Sequence, residues 1–125
     1  MARILVVDDE PLVAQAMGEV LANAGHDVIY AGVDSDPSDA VLAEAYDVLL
    51  TDIFLPETSG WDLIRSVRQT RPDTAIVAVS GGNVGVTPEL ALKISELVGA
   101  GEILTKPASA DDLLRAVDAA LQRKR

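Results

Sequence analysis

Five short apolar runs, separated by longer amphipathic stretches, constrain the fold of this chain more than any other feature of its sequence. The runs are rich in β-branched residues and lie at Ile4–Val7, Val28–Tyr30, Val48–Leu50, Ala75–Val79 and Ile103–Leu104. Because they are continuously apolar rather than alternating in polarity, they are typical of strands buried on both faces. The runs therefore predict five strands at the centre of a layered domain.

The stretches that follow the runs carry apolar residues at helical spacing. The first pattern comprises Leu12, Val13, Ala16, Val20, Leu21 and Ala24. The other four lie at Val41–Ala45, Leu63–Val67, Leu90–Val98 and Leu113–Leu121. The last of these is opened by a Ser109 cap with Asp112 three residues on. Strands and helices that alternate in this way predict an α/β fold, a doubly wound five-stranded parallel sheet with five helices on its two faces.

Length and composition fit a single domain over residues 1–125, and they exclude several classes of site. The chain has no cysteine, so disulfides, thiolate metal sites and cysteine nucleophiles are excluded. Its one histidine, His26, is too few for a histidine-built zinc site. No apolar run approaches the roughly 18 residues of a spanning helix, and the N-terminal run is too short for a signal peptide. We therefore expect a cytoplasmic protein.

The chain is strongly acidic, with 20 acidic against 10 basic side chains and a net charge of -10. Three of the basic residues are the last three, Arg123, Lys124 and Arg125. The rest of the chain would repel nucleic acid and anionic membranes through its long-range field. We therefore expect no direct binding to nucleic acid and no association with a membrane.

Polar residues follow four of the five predicted strands. Asp8, Asp9 and Glu10 come after the first, Asp52 after the third, Ser80 after the fourth and Lys106 after the fifth. Each has an ordinary explanation when taken alone, such as a helix cap for Asp9, a turn for Ser80 or a surface position for Lys106. Ligands of such sheets bind beyond the carboxyl ends of the strands, so the joint placement of these residues at one edge indicates a site there.

The residue types at this edge indicate phosphoryl transfer. If the first and third strands are neighbours, Asp8, Asp9 and Asp52 converge, and three carboxylates need a positive counter-charge. A hard divalent cation with oxygen ligands meets that need, and Mg²⁺ fits best. One carboxylate can attack phosphorus while the metal, the Lys106 ammonium and the Ser80 hydroxyl neutralise the phosphoryl oxygens.

With these motifs in order, the chain resembles the receiver domain of bacterial two-component response regulators, the family of the chemotaxis protein CheY. The resemblance covers essentially the whole chain. It is carried by Asp8-Asp9, Asp52 with Pro56 and Gly60, Ser80-Gly81, and Lys106-Pro107. The resemblance implies a flavodoxin-like sheet with the strand order 2-1-3-4-5.

The resemblance also implies a role for each residue at the edge. Asp52 would be the phosphoacceptor, with Ser80 and Lys106 in contact with the phosphoryl group. The ligands of Mg²⁺ would be Asp8 (directly or through water), Asp9, Asp52 and the backbone carbonyl of Phe54. The site would serve self-phosphorylation and autodephosphorylation of Asp52, and the domain would not be an enzyme with a separate substrate.

The partners implied by the resemblance are proteins. A histidine kinase or a histidine phosphotransfer protein would donate the phosphoryl group, and phosphorylation would change the surface that binds a downstream protein. The chain would be a monomer or a weak, phosphorylation-dependent dimer. The resemblance by itself names neither the kinase nor the downstream target.

One position departs from the family pattern. Ile103 stands three residues before Lys106, where the family usually has Tyr or Phe. A branched aliphatic side chain has few rotamers and no ring to bury. We therefore expect the glycine-rich segment Gly81–Gly85, with the start of the helix over 88–98, to change most on activation.

Three other functions are compatible with the topology. A small aspartyl-phosphate phosphohydrolase generally needs extra cap residues to select its substrate, and this chain has none to spare. A flavin- or nucleotide-binding domain needs turns rich in amide and hydroxyl groups, whereas Asp8-Asp9-Glu10 repel phosphate. A receiver that has lost phosphorylation would lack some of the expected groups, and all of them are present.

Overall fold

Five parallel strands form one sheet in the order β2-β1-β3-β4-β5. They are β1 (Arg3–Val7), β2 (Asp27–Ala31), β3 (Val48–Asp52), β4 (Ala75–Ser80) and β5 (Glu102–Thr105). The computed structural model describes residues 2–32, 38–43, 45–53, 60–80, 102–105 and 109–123. The predicted strands and their order are confirmed.

Four helices lie within the described residues, and they are α1 (Pro11–Asn23), α2 (Ser38–Ala43), α3 (Gly60–Thr70) and α4 (Ala110–Arg123). The predicted helix over residues 88–98 lies outside the described residues. The Ser109 side chain accepts a hydrogen bond of 3.0 Å from the Asp112 backbone N–H, as the sequence predicted for the start of the last helix. None of the described helices is long and apolar enough to cross a membrane.

Two apolar cores lie on the opposite faces of the sheet. On one face, Ile4 and Val6 of β1 pack with Leu21 of α1 and Val117 of α4. On the other face, the alternate residues of the strands pack against side chains from α2 and α3, including Leu5, Leu49, Val41, Leu63 and Ile64. Each fully buried Leu or Ile stabilises the fold by about 1.5–3 kcal/mol. Helices therefore cover both faces, as the sequence predicted.

A network at the amino ends of the central strands sets their alignment. The Asp47 N–H donates to the Arg3 carbonyl at 2.7 Å, and the Arg3 N–H donates back to the Asp47 carboxylate at 2.9 Å. The Asp47 carbonyl accepts a bond of 3.0 Å from the Ala75 N–H. One residue thus joins the starts of β1, β3 and β4. This alignment fixes which residues meet at their carboxyl ends.

The buried face of α1 differs from the one predicted. Ala14, Gly18 and Leu21 are buried, whereas Leu12 is 80% exposed. Small residues face the sheet because the helix packs closely, and a Cβ at Gly18 would overlap the phenol of Tyr30. Leu12 does not lie on the face of α1 that packs against the sheet, and its side chain is exposed to solvent in the first turn of the helix.

The two outer strands are also less buried than predicted. β2 and β5 lie at the edges of the sheet, and Tyr30 and Ile103 are 48% and 40% exposed. Within the described sheet, β1, β3 and β4 have a neighbour on each side, and their apolar residues are buried. The prediction of burial on both faces is therefore right for the three central strands alone.

Candidate functional site

Three carboxylates converge at the carboxyl edge of the sheet. Asp8 follows β1, Asp9 is the next residue, and Asp52 ends the neighbouring strand β3. One oxygen from each of the three carboxylates lies within 4.8 Å of the others. Asp8 and Asp52 are buried, and Asp9 is partly exposed. The predicted convergence thus results from the adjacency of β1 and β3.

The turn between β1 and α1 orients Asp8. Its Oδ1 accepts a hydrogen bond of 2.9 Å from the Glu10 backbone N–H. Glu10 is the N-cap of α1, Pro11 is the first helical residue, and the Glu10 carbonyl accepts from the Ala14 N–H at 2.9 Å. In this turn, all of which the structure describes, no side chain caps the helix from the N-cap position. Glu10, and not Asp9, thus occupies the N-cap position of α1.

The peptide that follows Asp52 is held by two further hydrogen bonds. The Thr51 hydroxyl donates to the Asp52 carbonyl oxygen at 3.0 Å. The next N–H, that of Ile53, donates to the Val79 carbonyl of β4 at 3.0 Å. Sequence analysis did not single out Thr51. The available signal was a hydroxyl residue at the end of an apolar run, immediately before the acid.

The charges at this edge favour a bound cation. Two like unit charges 4.8 Å apart repel by about 3 kcal/mol at an effective dielectric constant of about 20. A set of three carboxylates presents oxygen atoms only, which is the donor set of hard divalent cations. The cluster can hold such an ion.

The other predicted site residues differ in how far the structure describes them. Ser80 is the last residue of β4 and pairs with Thr105 of β5, so its backbone reaches the same edge of the sheet as Asp52. Lys106 follows Thr105 in the sequence but lies, like Phe54 and Gly81–Gly85, outside the described residues.

A family model and several characterised relatives match most of this chain. A family model described as the response regulator receiver domain matches residues 4–118. The transcriptional regulatory protein DltR of Streptococcus agalactiae is 34% identical over 113 residues, which are 90% of this chain and 48% of that protein. NtrC of Azospirillum brasilense is 35% identical over 120 residues, which are 96% of this chain and 24% of that protein. The chain thus spans about half the length of DltR and about a quarter of that of NtrC.

Solved structures match over the full fold. A response regulator receiver domain protein from Clostridium thermocellum is 31% identical with a TM-score of 0.82, and the match covers 98% of this chain and 96% of that one. A CheY-like receiver domain protein from Methanospirillum hungatei is 26% identical with a TM-score of 0.84, and the match covers 98% and 94%. The strand order, the carboxylate cluster and these matches lead to one conclusion: the chain belongs to the response regulator receiver domain family, the phosphoacceptor modules of two-component systems.

Proposed function

We propose that Asp52 is the phosphoacceptor of this receiver domain and that phosphorylation requires Mg²⁺. The observation that supports the proposal most is the cluster of Asp8, Asp9 and Asp52, whose oxygens lie within 4.8 Å of one another. Asp52 ends a central strand and its backbone is held in place, so its carboxylate has a defined position at the edge of the sheet.

The proposed metal ligands are Asp8, Asp9, Asp52 and the Phe54 carbonyl. When bound, Mg²⁺ neutralises charge on the phosphoryl oxygens and on the carboxylates. Asp8 is fixed by the Glu10 N–H and therefore presents its carboxylate in one orientation. Asp9 is partly exposed, so its side chain is open to the solvent from which an ion enters.

The proposed chemistry is a transfer from nitrogen to oxygen. An Asp52 carboxylate oxygen attacks the phosphorus of a phosphohistidine on the donor protein. The new O–P bond forms as the N–P bond breaks, and the electron pair of that bond returns to the histidine ring. Ser80 and Lys106 are the proposed contacts of the phosphoryl oxygens, where a hydroxyl and a fixed positive charge stabilise developing charge. Attack by water on phosphorus later releases inorganic phosphate and regenerates the carboxylate.

The proposed partners are proteins: a histidine kinase or histidine phosphotransfer protein upstream, and a target protein downstream. The relatives include proteins named as transcriptional regulators, of which this chain matches only a part. With a net charge of -10, the 1–125 domain is poorly suited to touch nucleic acid itself. We propose a cytoplasmic receiver whose output passes through protein contacts, as a monomer or as a weak dimer formed on phosphorylation.

Phosphorylation with a small donor tests the assignment. Acetyl phosphate and Mg²⁺ should add one phosphoryl group to the wild type, seen by intact-protein mass spectrometry and lost in hydroxylamine. Asp52→Asn should abolish the label, whereas Asp73→Asn, which changes an exposed acid after α3, should retain it. A label that persists in Asp52→Asn, or that maps to His26, would overturn the assignment.

A further inference from the structure

Thr51 places a hydroxyl in an otherwise apolar layer of the central sheet. Its register partners are Val7 on β1 and Ala78 on β4, and the residues two positions before and after it, Leu49 and Ile53, belong to the same apolar core. Thr51 is fully buried. Valine has the same branched shape and would fill this position without a polar atom, so the hydroxyl requires a buried hydrogen-bond partner.

That partner is the carbonyl of the proposed phosphoacceptor. The Thr51 hydroxyl donates to the Asp52 carbonyl at 3.0 Å, and the N–H of the same peptide, on Ile53, donates to the Val79 carbonyl at 3.0 Å. The peptide that follows Asp52 is therefore held on both of its polar groups.

The position of this peptide in the sheet explains why the two hydrogen bonds are needed to fix its orientation. The β1–β3 register ends at the pair Val7 and Thr51, whereas the β3–β4 register continues through Asp52 and Val79. Asp52 thus lies one residue beyond the last register pair with β1. The bond from Thr51 constrains the chain at the point where strand pairing on that side ends.

We propose that Thr51 is a positioning residue for phosphoryl transfer to Asp52, an inference that rests on the proposed function. The hydroxyl fixes the peptide after Asp52 and with it the direction from which the carboxylate approaches phosphorus. Near-attack geometry is sensitive to small displacements of the reacting group. Thr51 touches neither the phosphoryl group nor the metal in this role, and it acts through the Asp52 backbone.

Two substitutions separate positioning from packing. Thr51→Val keeps the shape and removes the hydroxyl, whereas Thr51→Ser keeps the hydroxyl and removes a buried methyl. We expect Thr51→Val to fold and to be labelled by acetyl phosphate about three- to tenfold more slowly, because a less constrained Asp52 places its carboxylate in the geometry of attack less often. We expect Thr51→Ser to be labelled at close to the wild-type rate despite a lower free energy of unfolding, because its lost methyl was buried.

Amide exchange gives a second measurement, without metal or phosphodonor. In Thr51→Val the Ile53 amide should lose protection when followed by NMR, and in Thr51→Ser it should keep it. Wild-type labelling rate in Thr51→Val, or an equal loss of rate in both variants, would overturn the inference. A failure of the proposed function would give a different result from a failure of this inference, because the wild-type protein would then not be phosphorylated at Asp52.

Discussion

Single side chains join elements of this domain that are far apart in sequence. The Arg71 guanidinium donates to the Leu42 carbonyl at 2.6 Å and lies over the Tyr46 ring, 4.9 Å from its centre. The buried Tyr46 hydroxyl donates to the Val41 carbonyl, so two side chains cap the last turn of α2. These contacts tie α2 to the loop between α3 and β4.

Ionisation of the Tyr46 phenol should make the free energy of unfolding depend on pH in the alkaline range. Burial raises the pKa of its phenol above the ordinary 10.0, and the nearby Arg71 lowers it by less. The unfolded chain therefore loses this proton first as pH rises, and the folded state keeps it. The stabilisation is complete below pH 10.0 and is lost as pH rises through the folded pKa.

Denaturant unfolding between pH 8 and pH 11 measures this effect. Between pH 8 and pH 11, the free energy of unfolding should fall less in Tyr46→Phe than in the wild type. At pH 8 this variant should be less stable than the wild type by about 1 kcal/mol, because one hydrogen bond is lost. Tyr30→Phe is the matched control, since Tyr30 is the other tyrosine and is half exposed. An equal alkaline loss in Tyr46→Phe and the wild type would contradict the assignment.

At the scale of elements, the first turn of α1, which follows Asp8 and Asp9 in the chain, presents an exposed apolar side chain. Leu12 is 80% exposed and is three residues from Asp9 in the sequence. Under the proposed function, a donor protein brings its phosphohistidine to Asp52 and therefore covers the surface around this edge. An exposed leucine here gains contact area only when a protein docks.

Leu12→Ala should slow phosphotransfer from a phosphorylated histidine phosphotransfer protein by about tenfold, the effect of about 1.4 kcal/mol of lost docking contact. Labelling by acetyl phosphate should not change, because a small donor needs no docking surface. Leu42→Ala removes a leucine that is 47% exposed on α2 and should affect neither rate. If Leu12→Ala slows both donors alike, the residue supports the chemistry rather than docking.

At the scale of the whole molecule, acidic charge opposes folding. The net charge is -10, and three of the carboxylates are held together at one edge of the sheet. Replacing one carboxylate removes part of this repulsion, and so does a bound cation.

In EDTA, Asp9→Asn should therefore raise the free energy of unfolding above that of the wild type. Mg²⁺ at about 100 times its dissociation constant should stabilise the wild type by about 2.7 kcal/mol and should stabilise Asp9→Asn far less. NaCl at matched ionic strength separates binding of Mg²⁺ at the site from general screening of charge. Asp73→Asn controls for the effect of removing one negative charge outside the cluster. Equal stabilisation by Mg²⁺ and NaCl would argue against a metal site at Asp9.

The sequence by itself determined the five strands, the described helices and the edge at which the acids meet. Continuous apolar runs, helical periodicity and the Ser109 cap depend on near neighbours in the chain, and β1, β3, β4 and α4 follow them closely. The cluster of Asp8, Asp9 and Asp52 was predictable because parallel strands end at one edge.

Tertiary structure alone decided which apolar side chains are buried and which polar groups are enclosed with their hydrogen-bond partners. Tyr30 and Ile103 are partly exposed because β2 and β5 have no second neighbour in the described sheet, and strand composition does not encode that position. Leu12 is exposed because α1 packs on the sheet through Ala14, Gly18 and Leu21, and this orientation of the helix comes from its tertiary contacts. The bond from Thr51 to the Asp52 carbonyl joins adjacent residues, but its complete burial between Val7 of β1 and Ala78 of β4 is set by the sheet and not by the local sequence.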